Sequence, residues 1–173
     1  IRRFHAELGL PKDPRMMDRT EAVELLEEEF PRLRLMHYRN RYDPTQIIAD
    51  MLAAVSRAKD EVVDAETYAA FASAMLAKAE DADAREAAER ASEVARVYAA
   101  YEQLKRNAHC VDFGDLVALP VQLLEKDPAI CATLKAQYDH VLVDEYQDVN
   151  RSSVRLLSAL RPDGRNLWMV GDA

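Results

Sequence analysis

A chain of 173 residues with 49% hydrophobic side chains is long enough for one ordinary domain, or slightly more, and can bury a real core. Its 31 acidic against 23 basic residues give a formal net charge of −8, so bulk charge does not advertise nucleic-acid binding, although a local basic stripe could still hold phosphates. Cys110 and Cys131 make neither a disulfide framework nor a zinc site, no apolar run approaches the ~20 residues of a membrane span, and no signal peptide is visible, so two reduced core thiols in a cytoplasmic protein are expected.

The chain opens on IRRFHAELGL, which lacks an initiator Met and already has a helical pattern. It stops at NLWMVGDA, as a strand delivers its first polar residue, and is therefore expected to be a fragment of a larger protein. Residues 1 to about 108 read as helical throughout. Asp18 and Glu21 have capping-box spacing ahead of Ala22, Val23, Leu25 and Leu26, and Pro31 closes that helix. Ile47, Ile48, Met51, Leu52 and Val55 then share one face at helical spacing. From about Glu66 to Arg106 there is neither Gly nor Pro; the ends are amphipathic and the middle, KAEDADAREAAER, is polar or Ala. Either a helix pair joined near Asp81 or one long exposed helix fits. The stripe Tyr68, Phe71 and Met75 reads as packing.

From Asp112 the pattern changes. Asp112 looks like an N-cap for the helix carrying Phe113, Leu116, Val117 and Leu119, with Pro120 expected to bend it. Asp127-Pro128 reads as cap and first position of a short helix. A strand over 140–143, a helix over 151–160, a turn at RPDGRN and a strand over 167–170 make a parallel crossover unit. Trp168 on the second strand is expected in the core. Both strands end in acid, Asp144-Glu145 and Gly171-Asp172, on the edge where ligands sit in open parallel sheets.

An apolar strand running into adjacent carboxylates needs explaining, because an unpaired buried charge costs several kcal/mol or more (~5). It is either an acidic turn facing solvent or a site where the acids meet a cation. The second matches the hydrolysis motif of nucleotide-binding motors called Walker B. There the first carboxylate holds Mg²⁺ and the second orients and deprotonates water. The four histidines, His5, His37, His109 and His140, lack metal-ligand spacing.

The longer string VDEYQDVN resembles the DExQDxN signature of the UvrD/Rep/PcrA family of superfamily 1 helicases. Other blocks agree in order: DFGDLV is similar to the DFxDLL segment before that motif, and WMVGDA to the start of the next one. VSRAKDE and HAELGLP resemble segments of the helical insertion within the first motor domain. The resemblance covers almost the whole chain. It implies a mostly α fold with a small parallel α/β part: a helical insertion with flanking helices over 1–108, then a partial RecA-like P-loop NTPase layer over 109–173. It also implies a 3′-to-5′ DNA translocase using ATP and Mg²⁺ on single-stranded DNA and duplex junctions. On that pattern Asp144 is the Mg²⁺ ligand and Glu145 the catalytic base. Gln147 and Asp148 would position the strand end, and Asp172 belongs to the motif coupling the γ-phosphate to DNA. NLWMVGDA also resembles helicases fused to nucleases, of the AddA or RecB type.

ATP binding requires a Gly-rich loop with Lys and Ser/Thr, and none of Gly9, Gly114, Gly164 and Gly171 sits in one. The chain alone is thus expected to be inactive while its parent is an ATP-dependent helicase. The alternative is a non-catalytic DNA- or protein-binding module with a degenerate motor fold. PRLRLMHYRNRY offers Arg39, Arg41 and Tyr42 as DNA contacts, or reads as a solvated connection balanced by Glu27, Glu28 and Glu29.

Overall fold

The computed structural model describes residues 1–38 and 44–172, so the proposed DNA contacts Arg39, Arg41 and Tyr42 lie outside the described residues. The chain divides into two compact units. One comprises Pro14–Lys59 and Val63–Phe113; the other comprises Ile1–Asp13, Asp60–Val62 and Gly114–Ala173. The fold is mostly helical, with two small parallel sheets. Among the described residues, no helix is long and apolar enough to cross a membrane.

The helical unit holds β1 (Arg15–Met16), α1 (Arg19–Glu29), α2 (Thr45–Asp60), α3 (Ala65–Ala77), α4 (Ala82–Asn107) and β2 (Cys110–Val111). Asp18 and Glu21 form the complete capping box of α1, satisfying two backbone donors at once. Pro31 falls in the 3₁₀ turn Phe30–Leu33 that follows. The Gly- and Pro-free stretch is a helix pair: the Asp81 side chain accepts from the backbone N–H of Ala84 and starts α4. Ile48, Met51, Leu52 and Val55 of α2 pack with Val97, Tyr98 and Tyr101 of α4 and Leu26 of α1 in one core. Tyr68 sets its ring edge-on to Tyr98 with centroids 6.2 Å apart, but Phe71 and Met75 of the same stripe are exposed.

Two expectations for this unit change. Residues 1–108 are not helical throughout, because β1 pairs in parallel with β2, Arg15 opposite Cys110 and Met16 opposite Val111. Pro11 and Pro14 explain the break, since proline disfavours helix in the residue before it. The N-cap of the next helix is Gly114, not Asp112. The Asp112 carboxylate takes the ammonium groups of Lys59 at 2.6 Å and Lys105 at 3.0 Å, charge-assisted contacts that a cap reading did not include.

The α/β unit holds α5 (Asp115–Lys126), α6 (Pro128–Gln137), β3 (Val141–Val143), α7 (Arg151–Leu160) and β4 (Leu167–Met169). Asp127 caps α6 by accepting from Ala129 and Ile130, with Pro128 at the first position as expected. Pro120 lies inside α5. A bidentate pair, Arg155 Nε and Nη2 on Glu125 at 2.9 and 2.6 Å, ties α7 to α5. Strands β3 and β4 are parallel, with Val141, Leu142 and Val143 opposite Leu167, Trp168 and Met169. Trp168 is not core: it is 62% exposed beside Leu142 at 77%. Two strands forming a single layer cannot cover both their faces. Cys110 and Cys131 are free and buried.

Candidate active site

Beyond the regular part of β3 the strand pairing continues with one residue too many. Val170 N–H donates to the Val143 carbonyl, and the Val170 carbonyl receives Tyr146 N–H, both at 2.9 Å. In the β3–β4 register a regular parallel ladder would use the N–H of residue 145 there. Asp144 and Glu145 are therefore looped out as a bulge, with Glu145 in the left-handed region at φ 52, ψ 45. For a side chain other than glycine that backbone costs about 1–2 kcal/mol, and such residues gather at functional sites.

The bulge leads into a 3₁₀ turn, Tyr146–Asp148. Asp148 N–H donates to the Glu145 carbonyl at 2.9 Å, closing the turn on the bulge. The Asp144 carboxylate accepts the N–H of Glu145 at 2.9 Å. The side-chain amide of Gln147 donates to the Glu145 carboxylate and, through its oxygen, accepts the N–H of Asp172 at 2.9 Å. Asp144, Glu145, Gln147 and Asp172 thus come together at the carboxyl ends of β3 and β4. Both Asp144 and Glu145 are exposed, so no burial cost stands behind the apolar strand that precedes them. Exposed carboxylate oxygens are the hard donors that Mg²⁺ takes, usually one or two from protein beside waters and phosphates, and this donor set fits such an ion.

Two further residues gain roles from the structure. A β-carbon on Gly171 would lie 2.5 Å from the Gln147 amide oxygen and 2.9 Å from Tyr146 N, so the strand end and the turn approach as closely as only glycine permits. Asn150 is the N-cap of α7: its Oδ1 accepts from Ser153 N–H at 3.0 Å and from the hydroxyls of Ser152 and Ser153, while its Nδ2 donates to Asp60 at 2.7 Å. An Asn just before an amphipathic run is a readable cap signal. The close approach of Gly171 has no local signal.

In the helical unit Glu102 Oε1 lies 2.8 Å from Lys59 and 2.9 Å from Lys105, whose side chains are 4% and 2% exposed. Both ammonium groups sit over the Tyr101 ring, 5.5 and 5.0 Å from its centroid. Burial alone would raise the Asp112 carboxyl, but the two lysines outweigh it and hold the group below the usual carboxylate range.

All 173 residues match the model of the UvrD/REP helicase N-terminal domain. The chain belongs to that family. Its relatives include ATP-dependent DNA helicase PcrA of Leuconostoc citreum, 31% identical over the whole chain, which covers 20% of that protein. ATP-dependent DNA helicase UvrD1 of Mycobacterium leprae (strain TN) is 36% identical over 77% of the chain and 16% of its own length. The exonuclease/helicase subunit RexA of Lactococcus lactis subsp. cremoris (strain MG1363) is 36% identical over 43% of the chain and 6% of its own length. This UvrD/REP domain chain therefore spans about a fifth of a helicase relative, or less.

Proposed function

We propose that this chain is part of an ATP-dependent 3′-to-5′ DNA helicase, with β3 and β4 belonging to a RecA-like motor layer and Asp144-Glu145 to its hydrolysis site. The observation that carries the reading is the bulge: it sets two exposed carboxylates side by side at the carboxyl ends of parallel strands. That is where α/β sheets bind their ligands. Asp144 would hold Mg²⁺, which supplies positive charge against the charge developing on the transferred phosphoryl group. Glu145 would orient and deprotonate the attacking water. Asp172, one residue past the close approach at Gly171, would sit on the phosphate side of the same edge.

The remaining assignments rest on sequence. Residues 1–108 would form the helical insertion with its flanking helices and 109–173 the motor part. Arg39, Arg41 and Tyr42 would contact DNA near a single-strand to duplex junction. No Gly-Lys phosphate loop exists in these 173 residues, so the isolated chain should hydrolyse ATP no faster than buffer. The similarity to an exonuclease/helicase protein favours a second version of the reading, in which the motor belongs to a helicase–nuclease.

The test is ATP turnover by the longer protein carrying this chain. Glu145→Gln should lower kcat by about 100-fold or more while ATP still binds. Turnover at the wild-type rate would sink the assignment. Reversing Arg39 and Arg41 to Glu should weaken duplex binding and flatten its salt dependence by about two counterions.

A further inference from the structure

We propose that Gln147 is the positioning residue of this site, fixing the Glu145 carboxylate to the end of β4 through one side-chain amide, with Gly171 as the space that admits it. The inference rests on the reading of Glu145 as the base and extends it to the residue that aims the base.

The two ends of a primary amide are chemically different, and each meets its complement here. The NH₂ end faces a carboxylate, which only accepts; the oxygen faces a backbone N–H, which only donates. Turning the amide over would break both bonds, so its partners fix its orientation. Among the described residues, Gln147 is the one group that hydrogen-bonds the Glu145 carboxylate. Without it an exposed, flexible side chain on a left-handed backbone would sample several rotamers.

The amide also has a fixed base. Its backbone belongs to the 3₁₀ turn pinned by Tyr146 N–H on Val170 and by Asp148 N–H on Glu145. On the far side, a β-carbon at 171 would lie 2.5 Å from the amide oxygen and 2.9 Å from Tyr146 N, so a larger residue there displaces the Gln147 amide or the turn that carries it. A displacement of the chain at Asp172 would thereby turn Glu145. Position of β4's end and aim of the base become one variable.

The experiment measures steady-state ATP hydrolysis by the longer protein, with Glu145→Gln as reference. Gln147→Glu preserves shape and can still accept the Asp172 N–H, but sets a second carboxylate against Glu145. It should lower kcat by about 10- to 100-fold, as misplacement of a catalytic group does, with KM for ATP within about threefold. Gly171→Ala should reproduce that split through the other end of the amide. In a Glu145→Gln background, Gln147→Glu should cost nothing further, because the residue acts only through the base. Wild-type kcat in both single variants, an equal rise in KM, or additive losses in the double variant would each overturn the positioning role. A Glu145→Gln enzyme of full activity would instead remove the reading of Glu145 on which this one stands.

Discussion

In the helical unit Asp112 and Glu93 are largely enclosed and held by several partners, while in the α/β unit Asp144 and Glu145 are exposed and sparsely held. Asp112 lies between two buried lysines, and Glu93, 3% exposed, accepts backbone N–H groups from Met36, His37 and Tyr38. Asp144 and Glu145 stand in solvent, each carboxylate with a single hydrogen-bond partner among the described residues. The difference separates carboxylates committed to partners inside the fold from carboxylates that solvent reaches. A buried charge with all its partners is bound to its neighbours, and removing it leaves them unpaired. An exposed acid kept on a strained bulge contributes little to folding, so its backbone cost calls for another reason.

That contrast can be broken by unfolding measurements on variants of each kind. Asp112→Ala should cost about 3–5 kcal/mol, read as a lower denaturant midpoint, because Lys59 and Lys105 lose a buried counter-charge. A loss below about 1 kcal/mol would show the cluster to be dispensable. Glu93→Ala removes the acceptor for three backbone donors and should cost about 1–3 kcal/mol, with hydrogen exchange quickening at Met36 to Tyr38. Asn150→Ala should cost about 1 kcal/mol and fray the first turn of α7. Asp144→Asn should stay within about 0.5 kcal/mol of the parent, as exposed substitutions do.

Acid sharpens the same comparison. The folded Asp112 carboxyl is depressed, so the folded state binds fewer protons there than the unfolded chain. Its stabilisation is complete above the unfolded pKa of about 3.9, and is lost as pH falls from there towards the folded value. An unfolding series between pH 6 and pH 2, taken as approximate bounds around that window, should show stability flat at first and then falling. Asp112→Asn should remove much of the fall.

What the sequence made legible was local. The capping box of α1, the Asp127 cap, the face of α2 and the strand–helix–strand run from Val141 to Met169 each depend on residues a few positions apart. What it hid was remote pairing. The two-residue β1 finds its partner at Cys110, and Asp112 finds its lysines at 59 and 105, separations over which periodicity carries no signal. Trp168 misled because an apolar strand residue is buried only if another layer covers it. At the candidate site the acids were readable as a motif. The bulge that exposes them, the Gln147 tie and the need for Gly171 arise from the pairing of β3 with β4, which no short window contains.

The most direct measurement is a structure of the longer protein with Mg²⁺ and a non-hydrolysable ATP analogue. The account expects an Asp144 oxygen on the metal, or on one of its waters, and a water on the Glu145 carboxylate facing the terminal phosphate. Metal and phosphate resolved at some other edge, with both carboxylates still bathed in bulk solvent, would contradict it.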